Sequence, residues 1–203
     1  MPINKYILII MTEKILIGTV GQKCGGKETF AKLLQECLPN TKIVNIRSSS
    51  VLATTLTQWG LPLTRHNLQK MAMIMNANFG DGTLTRAVQK LILATEADII
   101  IFDGARWESD AAMIRSFPNN RLVYITADIN IRYQRSKKRS EKADETSATF
   151  EDFEKEEQVL TELNIAKIGA TADMKIVNEG SVAEFKQQIQ EFCEKHLVCH
   201  KTI

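Results

Sequence analysis

The stretch KILIGTVGQKCGGKETFAKLLQECL, residues 14–38, decides the fold. Its first seven residues are mostly apolar and predict a buried strand. A glycine-rich turn follows at residues 21–27, and apolar residues then recur at 30, 33, 34, 37 and 38, the spacing of an amphipathic helix. Strand, glycine turn and helix therefore come in the order that a phosphate-binding loop requires.

The turn has the pattern G-x-x-x-x-G-K through Gly21, Gly26 and Lys27. Glycines leave amide N–H groups uncovered, so these donors can converge on an anion together with the positive end of the following helix. We expect Lys27 to reach the outer phosphates of a nucleoside triphosphate. The usual Ser or Thr after the lysine is replaced by Glu28, so the candidate metal-binding hydroxyl is that of Thr29, one position later. The alternative is an ordinary glycine-rich turn between a strand and a helix.

A second signal is the segment DIIIFD at residues 98–103, which predicts an apolar strand ending in an aspartate. This is the Walker B pattern, in which the carboxylate of Asp103 would lie near the phosphates and orient Mg²⁺ directly or through water. Arg106 follows Gly104 by two residues and is expected to face the same cleft. The alternative is a strand that merely ends in a polar turn.

Composition limits the class of protein. At 203 residues the chain suits one domain, and a net charge of +2 gives no global field that favours nucleic acid. The four cysteines form no C-x-x-C pair and indicate a reducing compartment, so we predict a cytoplasmic location. The apolar run at residues 6–11 is too short for a signal peptide or a membrane span, and residues 1–10 are a possible extension.

Further strands are predicted at residues 42–46, 121–126 and 173–178, with interrupted helices over 51–97 and further helices over 149–168 and after residue 180. Apolar residues of the 149–168 helix would point inward and its glutamates outward. Five strands, each followed by a helix, predict a parallel α/β sandwich.

Three arginines could bind a second anion, the phosphate acceptor. Arg47 follows a strand and precedes three serines, so it is either an anion ligand or a solvated residue beside a serine helix cap. Arg65 and Arg86 lie off the apolar stripes of two helices, so each is either part of an acceptor pocket or a plain surface residue. Residues 47–96 are therefore the expected acceptor-binding helical region.

Residues 129–150 are basic and then polar, without apolar periodicity. Helical spacing places Arg132, Arg135 and Arg139 on one face. We interpret the segment as a lid that brings arginines over bound phosphates. A solvated helix face is the alternative.

Four stretches carry a resemblance to known proteins: GQKCGGKET, LTRHNLQKMAMIMNANFGDGTLTRAV, IIIFDGARWESDAAMIRSF and FEDFEKEEQVLTELNIAKIGATADMKIVNEGSVAEF. They resemble the nucleoside monophosphate kinase group of P-loop proteins. More closely, they are similar to an uncharacterised branch, typified by archaeal members, that is described as similar to dephospho-CoA kinase. The resemblance implies a five-stranded parallel sheet of order 2-3-1-4-5, a helical acceptor region and a short lid.

Residue roles follow from the motifs and the resemblance together. The expected ATP-binding residues are Gly21, Gln22, Lys23, Cys24, Gly25, Gly26, Lys27, Glu28, Thr29, Asn178 and Gly180. The expected catalytic residues are Lys27, Asp103, Arg106, Arg132 and Arg135, with Thr29 and Asp103 as candidate metal ligands. Arg47, Arg65 and Arg86 are the expected acceptor-binding residues, and the resemblance also implies Arg106 as an acceptor-side cation.

The preferred hypothesis is a Mg²⁺-dependent kinase that transfers the γ-phosphate of ATP to a nucleotide or nucleotide-like small molecule, such as a nucleoside monophosphate or dephospho-CoA. A nucleotide-binding switch or NTPase with a protein partner is the alternative, although the chain has no N-K-x-D guanine motif. A nucleic-acid ATPase is disfavoured by the near-neutral net charge of +2. The sequence does not indicate an oligomeric state.

Overall fold

The structure is a computed structural model, and it describes residues 14–139, 149–158 and 160–197. The possible extension at residues 1–10 and the central part of the expected lid, residues 140–148, lie outside this range.

The sheet has five parallel strands in the order β2-β3-β1-β4-β5. The strands are β1 (Ile15–Val20), β2 (Ile43–Arg47), β3 (Ile99–Asp103), β4 (Asn120–Thr126) and β5 (Met174–Val177). Each lies within one or two residues of its predicted position, because its apolar run leaves little choice of register. The predicted α/β sandwich and strand order are confirmed.

Helices connect the strands and cover both faces of the sheet. They are α1 (Lys27–Cys37), α2 (Ser48–Gln58), α3 (Arg65–Phe79), α4 (Thr83–Ala94), α5 (Glu108–Arg115), α6 (Ile129–Arg139), α7 (Phe150–Glu157), α8 (Leu160–Leu163), α9 (Ile165–Gly169) and α10 (Val182–His196). In the part of the chain described here, no helix combines the length and apolarity needed to cross a bilayer.

Successive strand residues point to opposite faces and so build two separate cores. Leu16 and Ile100 belong to the core under α2–α5 and α9. Ile17 and Ile101 belong to the core under α1 and α10. Layers of helices therefore lie on both sides of the sheet, as a parallel sheet requires.

The predicted helix at residues 149–168 is wrong as a single element, because the structure has the shorter helices α7, α8 and α9 there. The interruption changes which side chains face inward. Leu163, expected in the core, is 58% exposed, whereas Glu162, expected outside, is only 7% exposed. A helical periodicity read across a break can assign the wrong face to residues beyond it, as it does for Leu163 and Glu162.

The strand register sets the position of the site. Thr19 of β1 and Arg47 of β2 both pair with Asp103 of β3, so the carboxyl ends of these strands are level. The loops that follow them open onto the same edge of the sheet. In open parallel sheets, ligands bind at this edge, where the strand order reverses.

Candidate functional site

The glycine-rich loop between β1 and α1 is pressed against β4. A Cβ atom at Gly21 would overlap the carbonyl oxygen of Ile125, so no other residue fits there. Gln22 anchors the loop, because its amide donates to the Tyr124 hydroxyl at 2.9 Å and its carbonyl accepts from Thr126 at 3.1 Å. Three consecutive residues of β4 therefore hold this side of the loop in place.

Lys27 lies inside this loop. Its ammonium donates to the carbonyl oxygens of Gly21 at 2.7 Å and Gln22 at 3.0 Å. An ammonium group has three donors, so one remains for a phosphate oxygen. Burial lowers the pKa of Lys27 to about 8, and the negative charge of Asp103 offsets part of this effect.

Asn178, directly after β5, completes the loop from the far side. Its amide donates to the carbonyl of Gly25 at 3.0 Å, and a Cβ atom at Gly26 would overlap that amide. Arg135 of α6 reaches the same asparagine at 3.4 Å, and its Nη1 atom is buried with no hydrogen-bond partner. Arg135 therefore has a donor at the edge of the loop that a ligand oxygen can satisfy.

Asp103 is the centre of a polar cluster at the ends of β1, β2 and β3. Its carboxylate accepts from Arg47 Nε at 3.1 Å and from the Thr19 hydroxyl at 3.4 Å. Glu28 lies beside it and forms ion pairs with Arg47 at 3.8 Å and Lys32 at 3.4 Å. The residue that replaces the usual Ser or Thr thus contributes to holding Arg47.

Mg²⁺ is compatible with the donors present. Among the described residues there is no group of three or more His, Cys, Asp or Glu that could hold a metal ion by itself. Mg²⁺, however, usually takes only one or two protein oxygens and completes its shell with water and phosphates. The Asp103 carboxylate and the exposed Thr29 hydroxyl, which both line the cleft, are ligands of that kind.

These groups open into one cleft of about 830 Å³. Its walls include Lys23, Cys24, Gly26, Lys27, Glu28, Thr29, Arg47, Arg65, Asp103, Arg106, Arg135, Asn178 and Gly180. Val182 and Phe185 of α10 add an apolar wall beside Gly180. Gly21, Gln22 and Gly25 are not among the lining residues and support the loop from behind.

A second cavity of about 200 Å³ shares Arg65 and Arg106 with the cleft. Apolar side chains from three helices line it, and Trp107 and the buried Asp110 line it as well. Asp110 accepts from the Thr85 hydroxyl at 2.6 Å and from the backbone N–H of Arg106 at 2.9 Å. Burial raises the pKa of Asp110, and these hydrogen bonds offset the rise in part.

Arg65 and Arg106 come from distant parts of the chain and meet at one carboxylate. Glu162 Oε1 accepts from Arg65 Nη2 at 3.2 Å and also pairs with Arg106 Nη1. Glu156 lies 3.7 Å from Arg65 Nε and accepts from Lys23 Nζ at 3.1 Å. Burial lowers the pKa of Arg106 to about 10, and the positive charge of Arg65 adds to this effect.

Two predicted arginines are not brought to the cleft. Arg86 donates to the carbonyl of Asp81 and the hydroxyl of Thr83 on an exposed turn. Of the two interpretations of Arg86, the structure therefore favours a surface residue over part of an acceptor pocket. Arg132 is 4% exposed and pairs with Glu157 and the Ala127 carbonyl, so it is a structural residue of α6. The side chain of Arg139 lies outside the described residues.

Glu162 and Asp110 are polar residues of the site that the sequence reasoning missed. Asp110 could have been found, because its side chain bonds back to the backbone N–H of Trp107 at the start of α5, as in a helix-capping sequence. Glu162 has no comparable local signal, since its partners are Arg65 and Arg106.

Comparison with known sequences gives relatives without an assigned activity. No protein-family profile matches the chain. A UPF0200 protein of Saccharolobus islandicus is 27% identical over 191 residues, 93% of this chain and 97% of the relative. A UPF0200 protein of Methanoculleus marisnigri is 26% identical over 176 residues, 86% of this chain and 93% of the relative. The finer likeness to dephospho-CoA kinase stays a prediction.

Solved structures provide the fold-level comparison. A shikimate kinase from Bacteroides thetaiotaomicron matches with a TM-score of 0.61 and 12% identity, over 89% of this chain and 98% of the kinase. The chain has the fold of the P-loop kinases. A gluconokinase from Sinorhizobium meliloti matches with a TM-score of 0.52 and 11% identity, over 90% and 93% of the two chains. Identities this low establish a shared fold and leave the substrate to be argued from the site.

Proposed function

We propose that the protein is an ATP-dependent phosphotransferase that acts on a small, anionic, nucleotide-like acceptor, such as a nucleoside monophosphate or dephospho-CoA. One observation carries the proposal. One cleft of about 830 Å³ is lined by the phosphate loop with Lys27, which we call the phosphate end, and by Arg47, Arg65 and Arg106, which we call the acceptor end. Donors suited to two polyanions therefore line the same cleft, and phosphoryl transfer depends on holding both reactants together.

The ATP end would work through the backbone and one ammonium. The amides of the loop and of the first turn of α1 would bind the β- and γ-phosphates, as they do at other helix N-termini. Lys27 would stabilise the negative charge on the transferring phosphoryl group and the charge that builds up on the leaving oxygen as its bond to phosphorus breaks. Val182 and Phe185 offer an apolar wall against which a base can pack.

Asp103 and Thr29 would hold Mg²⁺, which would offset the negative charge of the phosphates. Arg47 keeps the Asp103 carboxylate oriented through its contact at 3.1 Å. If the acceptor is a phosphate, transfer needs no base. If it is a hydroxyl, a carboxylate that lines the cleft, such as that of Asp103, would take its proton.

The acceptor end would work through guanidinium groups, whose planar donors suit phosphate and carboxylate oxygens. Arg65 and Arg106 line both the cleft and the smaller cavity of about 200 Å³. An anionic group between them would place the rest of the acceptor against the apolar residues of that cavity. This mixture of charge and apolar surface is why we favour a nucleotide-like acceptor over a small sugar.

The first experiment is a thermal-shift screen with a non-hydrolysable ATP analogue and Mg²⁺. Nucleoside monophosphates, deoxynucleotides and dephospho-CoA are added singly, and the true acceptor is expected to reinforce the stabilisation by the analogue. Transfer from ATP to that acceptor is then measured directly. Hydrolysis that no acceptor stimulates, combined with nucleotide-controlled binding of a protein partner, would favour the switch alternative.

The decisive variant is Lys27→Met, which is expected to lower the transfer rate by about 100- to 1,000-fold because a charge acting on the transition state is lost. The matched control is Lys90→Met, the same change at an exposed residue of α4 that does not line the cleft. A Lys27→Met protein with wild-type transfer would rule out the proposed function.

A further inference from the structure

Glu162 lies behind the acceptor end of the cleft and is shared by two arginines. One carboxylate oxygen, Oε1, accepts from Arg65 Nη2 at 3.2 Å and pairs with Arg106 Nη1. The side chain of Glu162 is 4% exposed, whereas those of Arg65 and Arg106 are 23% and 27% exposed. Both arginines line the cleft and the smaller cavity, and Glu162 lines neither.

The Glu162 carboxylate reduces the electrostatic repulsion between the guanidinium groups of Arg65 and Arg106. Two guanidinium groups that lie close together and partly buried repel one another, and this repulsion contributes to the lowered pKa of Arg106. A carboxylate between them offsets the repulsion and also fixes the orientation of both planar groups. Each guanidinium has five N–H donors, so most of them remain available for a ligand.

One donor supports this directly. Arg65 Nε is buried and has no hydrogen-bond partner, and the nearest carboxylate oxygen in an ion pair with it, from Glu156, is 3.7 Å away. A buried donor without a partner is unfavourable, and an oxygen of a bound anion would satisfy it. Arg65 is thus fixed by Glu162 at one nitrogen and left unsatisfied at another.

We propose that Glu162 is a positioning residue that holds Arg65 and Arg106 side by side, so that they bind the anionic group of the acceptor as a pair. The inference rests on the proposed function for the identity of the acceptor. It does not rest on transfer itself, because the paired arginines would bind a simple anion in a protein that transfers nothing.

The same segment connects the two ends of the cleft. Glu156 of α7 contacts Lys23 of the phosphate loop at 3.1 Å and Arg65 at 3.7 Å, and Glu162 follows on α8. Carboxylates of α7 and α8 therefore contact one cation on the ATP side and two on the acceptor side. The guanidinium groups of Arg65 and Arg106 are therefore contacted by carboxylates from a later part of the chain.

The test uses the full chain and inorganic phosphate as the probe. The Nε–H signals of Arg65 and Arg106 are followed by NMR during a phosphate titration, with a non-hydrolysable ATP analogue and Mg²⁺ present to fill the phosphate loop. Arg65→Lys and Arg106→Lys assign the two signals. The expected result is that both signals move together and give one Kd.

Glu162→Gln removes the charge and keeps the shape of the side chain. The Kd for phosphate at the arginines is expected to rise about tenfold, the scale of a lost charged hydrogen bond. Glu162→Asp keeps the charge but shortens the reach, so a smaller rise is expected. Glu154→Gln makes the same charge change at an exposed position of α7 and is expected to leave the Kd within about twofold of wild type.

The inference is overturned if the two signals move with different Kd values, if neither moves in a large excess of phosphate, or if Glu162→Gln binds phosphate as well as or better than wild type. If thermal unfolding shows that Glu162→Gln does not fold, the wild-type titration and the Glu162→Asp titration still test the positioning role of Glu162. If the ATP analogue does not bind, the proposed function fails, and the same titration without it still tests the pairing.

Discussion

The two ends of the cleft are built by different means. The proposed phosphate end is made by consecutive residues of one loop, with a single ammonium, Lys27, bonded to the loop carbonyls. The proposed acceptor end is made by side chains from residues 47, 65 and 106, which the chain brings together only when folded. The phosphate end is thus formed by one short sequence segment, whereas the acceptor end is formed by residues that are distant in sequence.

This difference predicts different responses to substitution. A backbone site fails when its atoms are displaced, because no alternative conformation places the amides correctly. A side-chain site adjusts, because long arginine side chains can reach a shared anion from slightly different positions. The following predictions test that contrast, beginning with the largest effect.

Gly26→Ala is expected to reduce the affinity for an ATP analogue by about 100-fold or more, because loop amides and Lys27 act as one unit. Gly26 has φ +113°, and the new methyl group would displace the Asn178 amide that bonds to Gly25. The affinity is measured by isothermal titration calorimetry. Gly80→Ala is the control, since Gly80 also has a positive φ of +88° but its methyl group would meet no atom within 4 Å. Equal losses in both variants would contradict the backbone explanation.

The pH dependence of ATP-analogue binding is expected to be smaller and to come from Lys27. With a pKa of about 8, the ammonium form is dominant at neutral pH and decreases as the pH rises through that value. Affinity should therefore fall about fourfold between pH 7 and pH 8.5, in proportion to the protonated fraction. In Lys27→Arg the charge persists throughout this range, so the same titration should be nearly flat. An equal pH dependence in both proteins would assign the titration to another group.

The smallest effect is expected for Arg86→Ala. The side chain of Arg86 is exposed and bonded to its own turn, away from the cleft. The KM values for ATP and for the acceptor should both stay within about twofold of wild type, as for most surface substitutions. Steady-state kinetics with the acceptor found in the screen measure this. A selective rise in the KM for the acceptor would show that Arg86 contributes to acceptor binding after all.

The fold could be predicted from the sequence because its determinants are local. Each strand is an apolar run bounded by turn residues, whereas the strand order was expected only from the resemblance to nucleoside monophosphate kinases. The region after residue 149 was less predictable, since a helical periodicity gives no warning of the breaks between α7, α8 and α9. The exposed Leu163 and the buried Glu162 both result from those breaks.

Within the site, the sequence placed Lys27 and Asp103 in the cleft because both belong to short motifs. It could not distinguish Arg135 from Arg132, because helical spacing puts both on nearly the same face. Arg132 is drawn against Phe153 and Glu157, residues beyond the expected lid, while Arg135 reaches Asn178. Ion pairs between distant segments decide such cases, and one sequence alone does not reveal them.

The hydrogen bond from Asn178 to Gly25 joins positions 153 residues apart. A ribosome must release almost the whole polypeptide before this asparagine can reach the loop near the start. We therefore expect nucleotide to stabilise a nearly complete chain and not to assist the early stages of folding. Shortened versions that stop before β5 should still form parts of the sheet, but they should gain no thermal protection from ATP.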